Sequence, residues 1–266
     1  MKKNNILLGG LACLFSSWCF GNSLHDTLNN APKGHLNEWE QVFREDFEKE
    51  VPLGEFPGKH YRKKWSVYHD GMGVTNNPPT GKYYPSKVIS VNKGVLTENL
   101  HVENNISMTA AISPMQGGAY LNQLYGKWSV KFRWQADSGY KYAWLLWPKS
   151  NQWNDGEIDF AEGHKNNGSA AFMHFEGAPR QQDKFKLPDV DMSQWHVFSC
   201  EWTPSKVVFL LDDKVFGVSE RNEVPTKPMR MTLQSESCVD MACPQGNAKG
   251  TVEIDWVVIY KMKKKT

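Results

Sequence analysis

Glu157, Asp159 and Glu162 lie within six residues of one another in the run from Trp144 to His164, where aromatic and acidic side chains are denser than elsewhere in the 266-residue chain. Glu157 and Asp159 are two apart and so share one face of a β-strand, whereas Glu162, at an odd offset, would point to the other. One extra residue at Phe160 or Ala161, a β-bulge, would return Glu162 to the face of Glu157, and such bulges occur beside active sites. Three carboxyl groups on one surface do not all ionise at neutral pH, so the cluster calls for a retained proton, a cation or catalysis. Glycoside cleavage uses such a set: one carboxylate attacks the sugar or activates water, and a second, protonated carboxyl serves the leaving oxygen. On one bulged strand Glu157 and Glu162 are expected roughly 5 to 6 Å apart, the separation that accompanies retention through a covalent intermediate.

A solvated acidic strand edge is the plainer reading. Ile158, Phe160 and Ala161 argue against it, because they send one strand face into a core. The segment Glu253-Ile-Asp255-Trp-Val-Val258 repeats the first three letters but has Val258 in place of the third acid, and reads as a structural strand. Trp144, Trp147 and Trp153 are candidate platforms for stacking on sugar rings. Tyr142 and Trp144 share one strand parity and Ala143, Leu145 and Trp147 the other, so only one set can face a cleft. Trp144 is preferred, because Trp147 adjoins Pro148 near the strand end. His174, on the expected neighbouring strand, could bond a sugar or Glu162, or be a satisfied structural histidine. Arg230, Thr232, Gln234 and Glu236 alternate with Met229, Met231, Leu233 and Ser235, which offers Gln234 and Glu236 to the cleft.

The elements that must position these residues are strands. Lys127 to Trp134 alternates strictly, with Trp128, Val130, Phe132 and Trp134 on one face. Further strands are expected at Lys87–Val91, Val95–Leu100, Tyr142–Trp147, Ala170–Phe175, His196–Trp202, Val207–Leu211, Val215–Val218, Met229–Glu236 and Val252–Tyr260. No convincing amphipathic helix is found, and many short strands between turn signals give an antiparallel β-sandwich. The length suits one domain over 41–266, preceded by a polar arm over 23–40 and a leader over 1–22. That leader has Lys2 and Lys3 before an uncharged, mostly apolar stretch, the form of a secretory signal peptide. Too few apolar residues remain for a membrane span, and Cys13 offers a poor lipoprotein site. Once the leader is removed, Cys238 and Cys243 bracket a loop short enough for a disulfide, and Cys200 is left as a buried thiol. The eleven Trp are expected to divide evenly between core and sugar-facing positions.

The hexapeptide Glu157-Ile-Asp-Phe-Ala-Glu162 resembles the E-[ILV]-D-x-x-E signature of glycoside hydrolase family sixteen, the laminarinase, lichenase and agarase family. Phe43-Arg-Glu-Asp-Phe47, Tyr125-Gly-Lys-Trp128, Trp144-Leu-Leu-Trp-Pro148, Trp195 to Pro204, Pro228-Met-Arg230 and Val252 to Tyr260 fall in the family's order. The resemblance implies a concanavalin A-like jelly roll with a cleft on its concave sheet. It makes Glu157 the nucleophile, Glu162 the general acid/base and Asp159 the residue that orients the nucleophile. It requires no cofactor, and a structural calcium using Asp255 and backbone oxygens, as in some relatives, stays open. The chain departs from the pattern at Ser129, where many relatives carry an acid, and at Asp155, where the lichenase branch has Trp.

The resulting expectation is an exported, monomeric endo-β-glycan hydrolase acting in the periplasm or outside the cell. Its substrate is a polysaccharide, with β-1,3- or mixed-linkage glucan first. An acidic exopolysaccharide is second, suggested by Lys127, Lys131, Arg133 and Lys141 near the cleft strands. A transglycosylase on the same fold and a non-catalytic lectin are the alternatives. Zinc is disfavoured, because no compact His/Cys spacing is present. A formal net charge of +2 gives no basis for nucleic-acid binding.

Overall fold

The alternation of Trp128, Val130, Phe132 and Trp134 with polar neighbours dictates a strand with one face in a core. In the computed structural model, which describes residues 30–165 and 168–263, all four are buried. The first strands are β1 (Trp39–Glu45), β2 (Trp65–Val67), β3 (Met72–Gly73), β4 (Gly81–Tyr83), β5 (Ile89–Asn92), β6 (Val95–Glu103) and β7 (Ile106–Thr109). They are followed by β8 (Ala111–Gln116), β9 (Ala119–Tyr120), β10 (Asn122–Gln123), β11 (Gly126–Ala136), β12 (Tyr140–Pro148), β13 (Glu157–His164) and β14 (Gly168–Phe175). The series ends with β15 (Ala178–Lys186), β16 (His196–Trp202), β17 (Val207–Leu211), β18 (Lys214–Ser219), β19 (Met229–Ser237) and β20 (Lys249–Met262).

These strands form the expected two-layer sandwich. One sheet runs β18-β17-β16-β11-β20-β6-β7-β4-β3, with β1 on β20 and β5 on β6. The other runs β15-β14-β13-β12-β19-β8-β2, with β10 on β19 and β9 on β8. Pairing is antiparallel throughout except between β4 and β7. Between the layers, the Phe132 ring of β11 meets Tyr142 and Trp144 of β12 edge-on, with centroids 5.1 and 5.0 Å apart. That contact fixes the inward face of β12 as Tyr142, Trp144 and Leu146, all buried. The tryptophans do not divide evenly. Trp39, Trp65, Trp128, Trp134, Trp144, Trp202 and Trp256 are buried, which leaves Trp147, Trp153 and Trp195 among the described residues.

Two local expectations change. Lys87 and Val88 belong to the helical turn α2 (Pro85–Val88), which follows the equally short α1 (Gly58–Tyr61). Pro85 at the first turn favours helical φ and needs no backbone donor, so the strand starts only at Ile89. Residues 30–38, expected to be loose, are tied down. Ala31 is buried with Trp39, Val197, Trp256, Val258 and Tyr260, and Gln41 Nε2 donates to Pro32 O at 2.8 Å. The leader, Cys13 and Cys19 lie outside the described residues. The Cys238–Cys243 disulfide is formed and Cys200 is a buried free thiol, both as read from the sequence.

One buried acid makes stability depend on pH. Glu98 of β6 is fully enclosed between the sheets, where Ser235 Oγ donates to its Oε2 at 2.6 Å and Oε1 has no hydrogen-bond partner. Burial pushes its pKa from 4.5 up to about 8, although the Ser235 hydrogen bond opposes the shift. A carboxyl whose folded-state pKa is raised binds its proton more tightly when folded. Its contribution is therefore fully present below the unfolded value and is lost as pH rises toward and past about 8. Glu98→Gln is expected to remove a loss of up to about 1.4 kcal/mol per pH unit across that window. Urea unfolding at pH 6 and pH 9 checks this, and equal slopes for both proteins would refute it.

Candidate active site

The parity conflict at Glu162 is resolved by a bulge in β13. Asp159 stands opposite Phe172 and Glu162 opposite Ala170, so two residues on β13, Phe160 and Ala161, stand against Ala171 alone on β14. Against β12, Trp144 faces Ala161 and Leu145 faces Asp159, with Phe160 as the extra residue. Phe160 and Ala161 both enter the core. Glu157, Asp159 and Glu162 therefore project together from the outer face of the second sheet, as the sequence pattern demands.

The same registers identify the rest of the groove floor. Glu162 neighbours Ala143 on β12 and then Gln234 on β19, while Asp159 neighbours Leu145 and then Thr232. The groove-facing set of β12 is thus Lys141, Ala143, Leu145 and Trp147. Trp144, the preferred stacking residue, is instead a fully buried core ring. Trp147, half-buried beside Arg230, takes the groove position. Gln234 is half-buried on the groove face, as expected. Glu236 has the right parity but is only 1 % exposed, beneath Lys141, and so offers nothing directly to a sugar.

Trp153 is held by a 3-10 turn, Trp153–Asp155, that ends at Gly156. Gly156 has φ 85°, and a Cβ there would stand 2.6 Å from Pro225 Cγ, so no other residue makes this turn without strain. The turn brings Trp153 Nε1 to donate to Glu157 Oε2 at 2.8 Å. The ring, 39 % exposed, keeps its free surface over a cavity of about 310 Å³ that Ala178, Pro179, Arg180 and Gln181 also line.

His174 stands opposite Glu157. Its partner is Asp159, not Glu162: Nε2 lies 3.2 Å from Asp159 Oδ2, and Nδ1 lies 2.8 Å from Pro179 O. Both partners only accept, so both ring nitrogens carry protons and the ring is an imidazolium. Burial would lower its pKa, but the hydrogen bond and charge of Asp159, with Glu157 behind them, lift it to about 9. Glu157, Asp159 and His174 offer donor atoms within 4.8 Å of one another, the sole such triad among the described residues. In this arrangement the imidazole donates from both nitrogens, and the three residues form an ion-paired cluster.

Burial first, and the Asp159 charge second, push Glu157 well above the ordinary carboxylate range. Glu162 is raised for the same two reasons, against the pull of Lys141. The cluster therefore retains a proton into the neutral range. Lys141 is a groove residue that the sequence placed beside the cleft without naming its partners. Its Nζ lies 3.2 Å from Glu162 Oε1 and 3.6 Å from Glu236 Oε2. A single lysine inside the apolar run Tyr140 to Trp147 was the available signal.

The other basic residues credited to the groove are elsewhere. Lys127, Lys131 and Arg133 lie on β11 of the opposite sheet, each beside an acid: Lys127 with Glu201 at 2.9 Å, Lys131 with Asp255 at 2.6 Å and Arg133 with Glu253 at 2.5 Å. An antiparallel sheet sets such cross-strand neighbours together, and a single strand read alone does not reveal them. Asp255 and Glu253 confirm their segment as structural. The Asp255 carboxylate is engaged by Lys131 Nζ.

A profile of the Glycosyl hydrolases family 16 matches residues 89–258. No curated protein matches the chain. Among solved structures, a LamA variant from Z. galactanivorans in complex with laminaritriose and laminaritetraose is 22 % identical, at TM-score 0.65, covering 83 % of this chain and 98 % of its own. The laminarinase catalytic domain from Thermotoga maritima is 18 % identical at TM-score 0.67, covering 86 % and 100 %. A protein described as a pseudo beta-1,3-glucanase of Mycobacterium tuberculosis is 17 % identical at TM-score 0.68, covering 84 % and 99 %. At these identities the likeness is one of fold, and it makes the sandwich a jelly roll.

Proposed function

The chain belongs to glycosyl hydrolase family 16, and from that membership we propose that it is an exported, retaining endo-β-glucan hydrolase acting on β-1,3- or mixed-linkage glucan. The observation that carries the reading is the β13 bulge, which turns Glu157, Asp159 and Glu162 to one groove between an imidazolium and an ammonium. A Glu157 oxygen attacks the anomeric carbon as the glycosidic C–O bond breaks, and the Glu162 proton passes to the leaving oxygen. Water then gives a proton to Glu162, and its oxygen displaces Glu157 from the sugar. Trp153 N–H and the His174 charge act against the burial and the Asp159 charge that raise Glu157, and so favour its ionised form, while Asp159 holds His174 in place.

The names of the solved neighbours support glucan as the substrate. The acidic polysaccharide loses its ground, because Lys127, Lys131 and Arg133 are across the sandwich and Lys141 is paired. The Cys238–Cys243 disulfide suits an oxidising compartment. No helix among the described residues is long and apolar enough to cross a membrane. Incubation with laminarin and with mixed-linkage glucan is expected to release reducing ends whose first-formed anomer, followed by proton NMR, is β. First-formed α-product would exclude the double displacement, redistribution of chain lengths without new ends would indicate a transglycosylase, and binding without cleavage would indicate a lectin.

A further inference from the structure

Retaining cleavage needs the proton of the crowded acids on Glu162 and the charge on Glu157. Lys141 beside Glu162 works against that division, since an ammonium within hydrogen-bond reach of a carboxyl favours its ionised form. Glu236 stands on the far side of the same ammonium. Its Oε1 accepts from Tyr83 Oη at 2.9 Å and from the backbone N–H of Thr75 at 2.9 Å. Its Oε2 has no hydrogen-bond partner and faces Lys141 Nζ at 3.6 Å. A carboxyl group with two donors on one oxygen and an ammonium before the other is a carboxylate. Register fixes the arrangement, because Lys141 stands directly opposite Glu236 across the β12–β19 ladder, in the row next to Glu162.

We propose that Lys141 and Glu236 are positioning residues that set where the shared proton resides: Glu236 compensates the Lys141 charge, so that Glu162 stays protonated and serves as the acid. The inference rests on the assignment of Glu162 above and deepens it. The charged and titratable groups around Glu162 are Glu157, Asp159 and His164 on its own strand, Lys141 and Tyr142 on β12, and His174 on β14. Beyond them stand Glu236 on β19, Tyr83 on β4 and Lys186 on β15, which is opposite Ala170 of β14. His164 is held low by burial and by Lys141 and adds no charge at neutral pH. Burial would lower Lys141, but Glu162 and Glu236 hold its pKa up, so it stays an ammonium.

Opposite shifts and a cancellation follow. In Glu236→Gln the ammonium has only Glu162 to neutralise it, so Glu162 ionises more readily and the basic limb of kcat/KM moves down by about one pH unit. In Lys141→Gln, Glu162 faces Glu236 with no intervening cation, and the same limb moves up. The double variant is expected to return the limb close to its original pH even where kcat stays reduced. A merely structural pair would lower kcat or thermal stability in all three variants with the limb unmoved, and that outcome overturns the proposal. Glu162→Gln, measured alongside on the polysaccharide, separates the two layers: if it remains active the acid assignment itself is wrong, whereas if it is inactive and the limbs do not move, only the role of Lys141 and Glu236 fails.

Discussion

Glu157→Gln is expected to lower kcat on the proposed glucan substrate by about 10⁴-fold or more, with the fold unchanged. The amide keeps the volume of the carboxylate, and its carbonyl oxygen can still accept from Trp153 Nε1, so the turn over Trp153–Asp155 has no reason to move. What is lost is the oxygen that forms a bond to the anomeric carbon, and no neighbour replaces it: Asp159 is engaged by His174, and Glu162 stands on the acid side. Stability should move the other way. The pKa of Glu157 is raised in the folded chain by burial and by Asp159, so its ionisation opposes folding as pH rises, and the neutral amide relieves that opposition. The variant is therefore expected to melt at the same temperature or higher, with the gain largest above neutral pH. Glu157→Ala supplies a second readout, since azide can enter the vacated space and yield a glycosyl azide of inverted configuration. Retention of more than about a tenth of wild-type turnover by Glu157→Gln would show that another group is the nucleophile.

The bulge was legible because two constraints met in six residues. Apolar Ile158, Phe160 and Ala161 demanded a core face, and the odd offset of Glu162 could be reconciled with Glu157 only by one extra residue. The disulfide was legible for a similar reason, since a short loop brings its two cysteines together whatever the rest of the chain does. Cross-strand partners were not. Lys127, Lys131 and Arg133 form a basic row when their strand is read alone, but Glu201, Asp255 and Glu253 arrive beside them only when β16 and β20 pair with β11. Glu236 was marked for the groove by parity alone. Its burial depends on Tyr83 and Thr75, which reach it from more than 150 residues earlier in the chain. The choice between Trp144 and Trp147 failed for a different reason. Both parities of β12 carry a tryptophan, so hydrophobicity could not rank them, and proximity to Pro148 was a weaker criterion than the packing of Phe132 against Tyr142 and Trp144.

That packing makes Trp144→Ala the largest stability change expected in the sheet that carries the groove, about 3 to 5 kcal/mol. Trp144 is fully buried, meets Phe132 at 5.0 Å and Tyr142 at 5.8 Å, and lies on the strand face opposite Glu162. Truncation would leave a cavity directly behind the β12–β13 pairing that holds the bulge, since Trp144 is paired with Ala161 there. Activity should fall with it, through loss of folded protein and loosening of Glu162 and not through loss of a sugar contact. The indole N–H of Trp144 has no hydrogen-bond partner, so Trp144→Phe, which keeps an aromatic ring and removes an unpaired donor, is expected to recover most of the stability. Trp147→Ala gives the contrasting result: a ring half-exposed over the groove contributes little to folding, and its removal is expected to raise KM by about tenfold with the melting temperature nearly unchanged. Denaturant unfolding and steady-state kinetics on the three variants decide between the faces. A stable Trp144→Ala with a high KM, paired with an unstable Trp147→Ala, would mean that β12 presents its other side to the sugar, and the groove built on Lys141, Ala143, Leu145 and Trp147 would have to be abandoned.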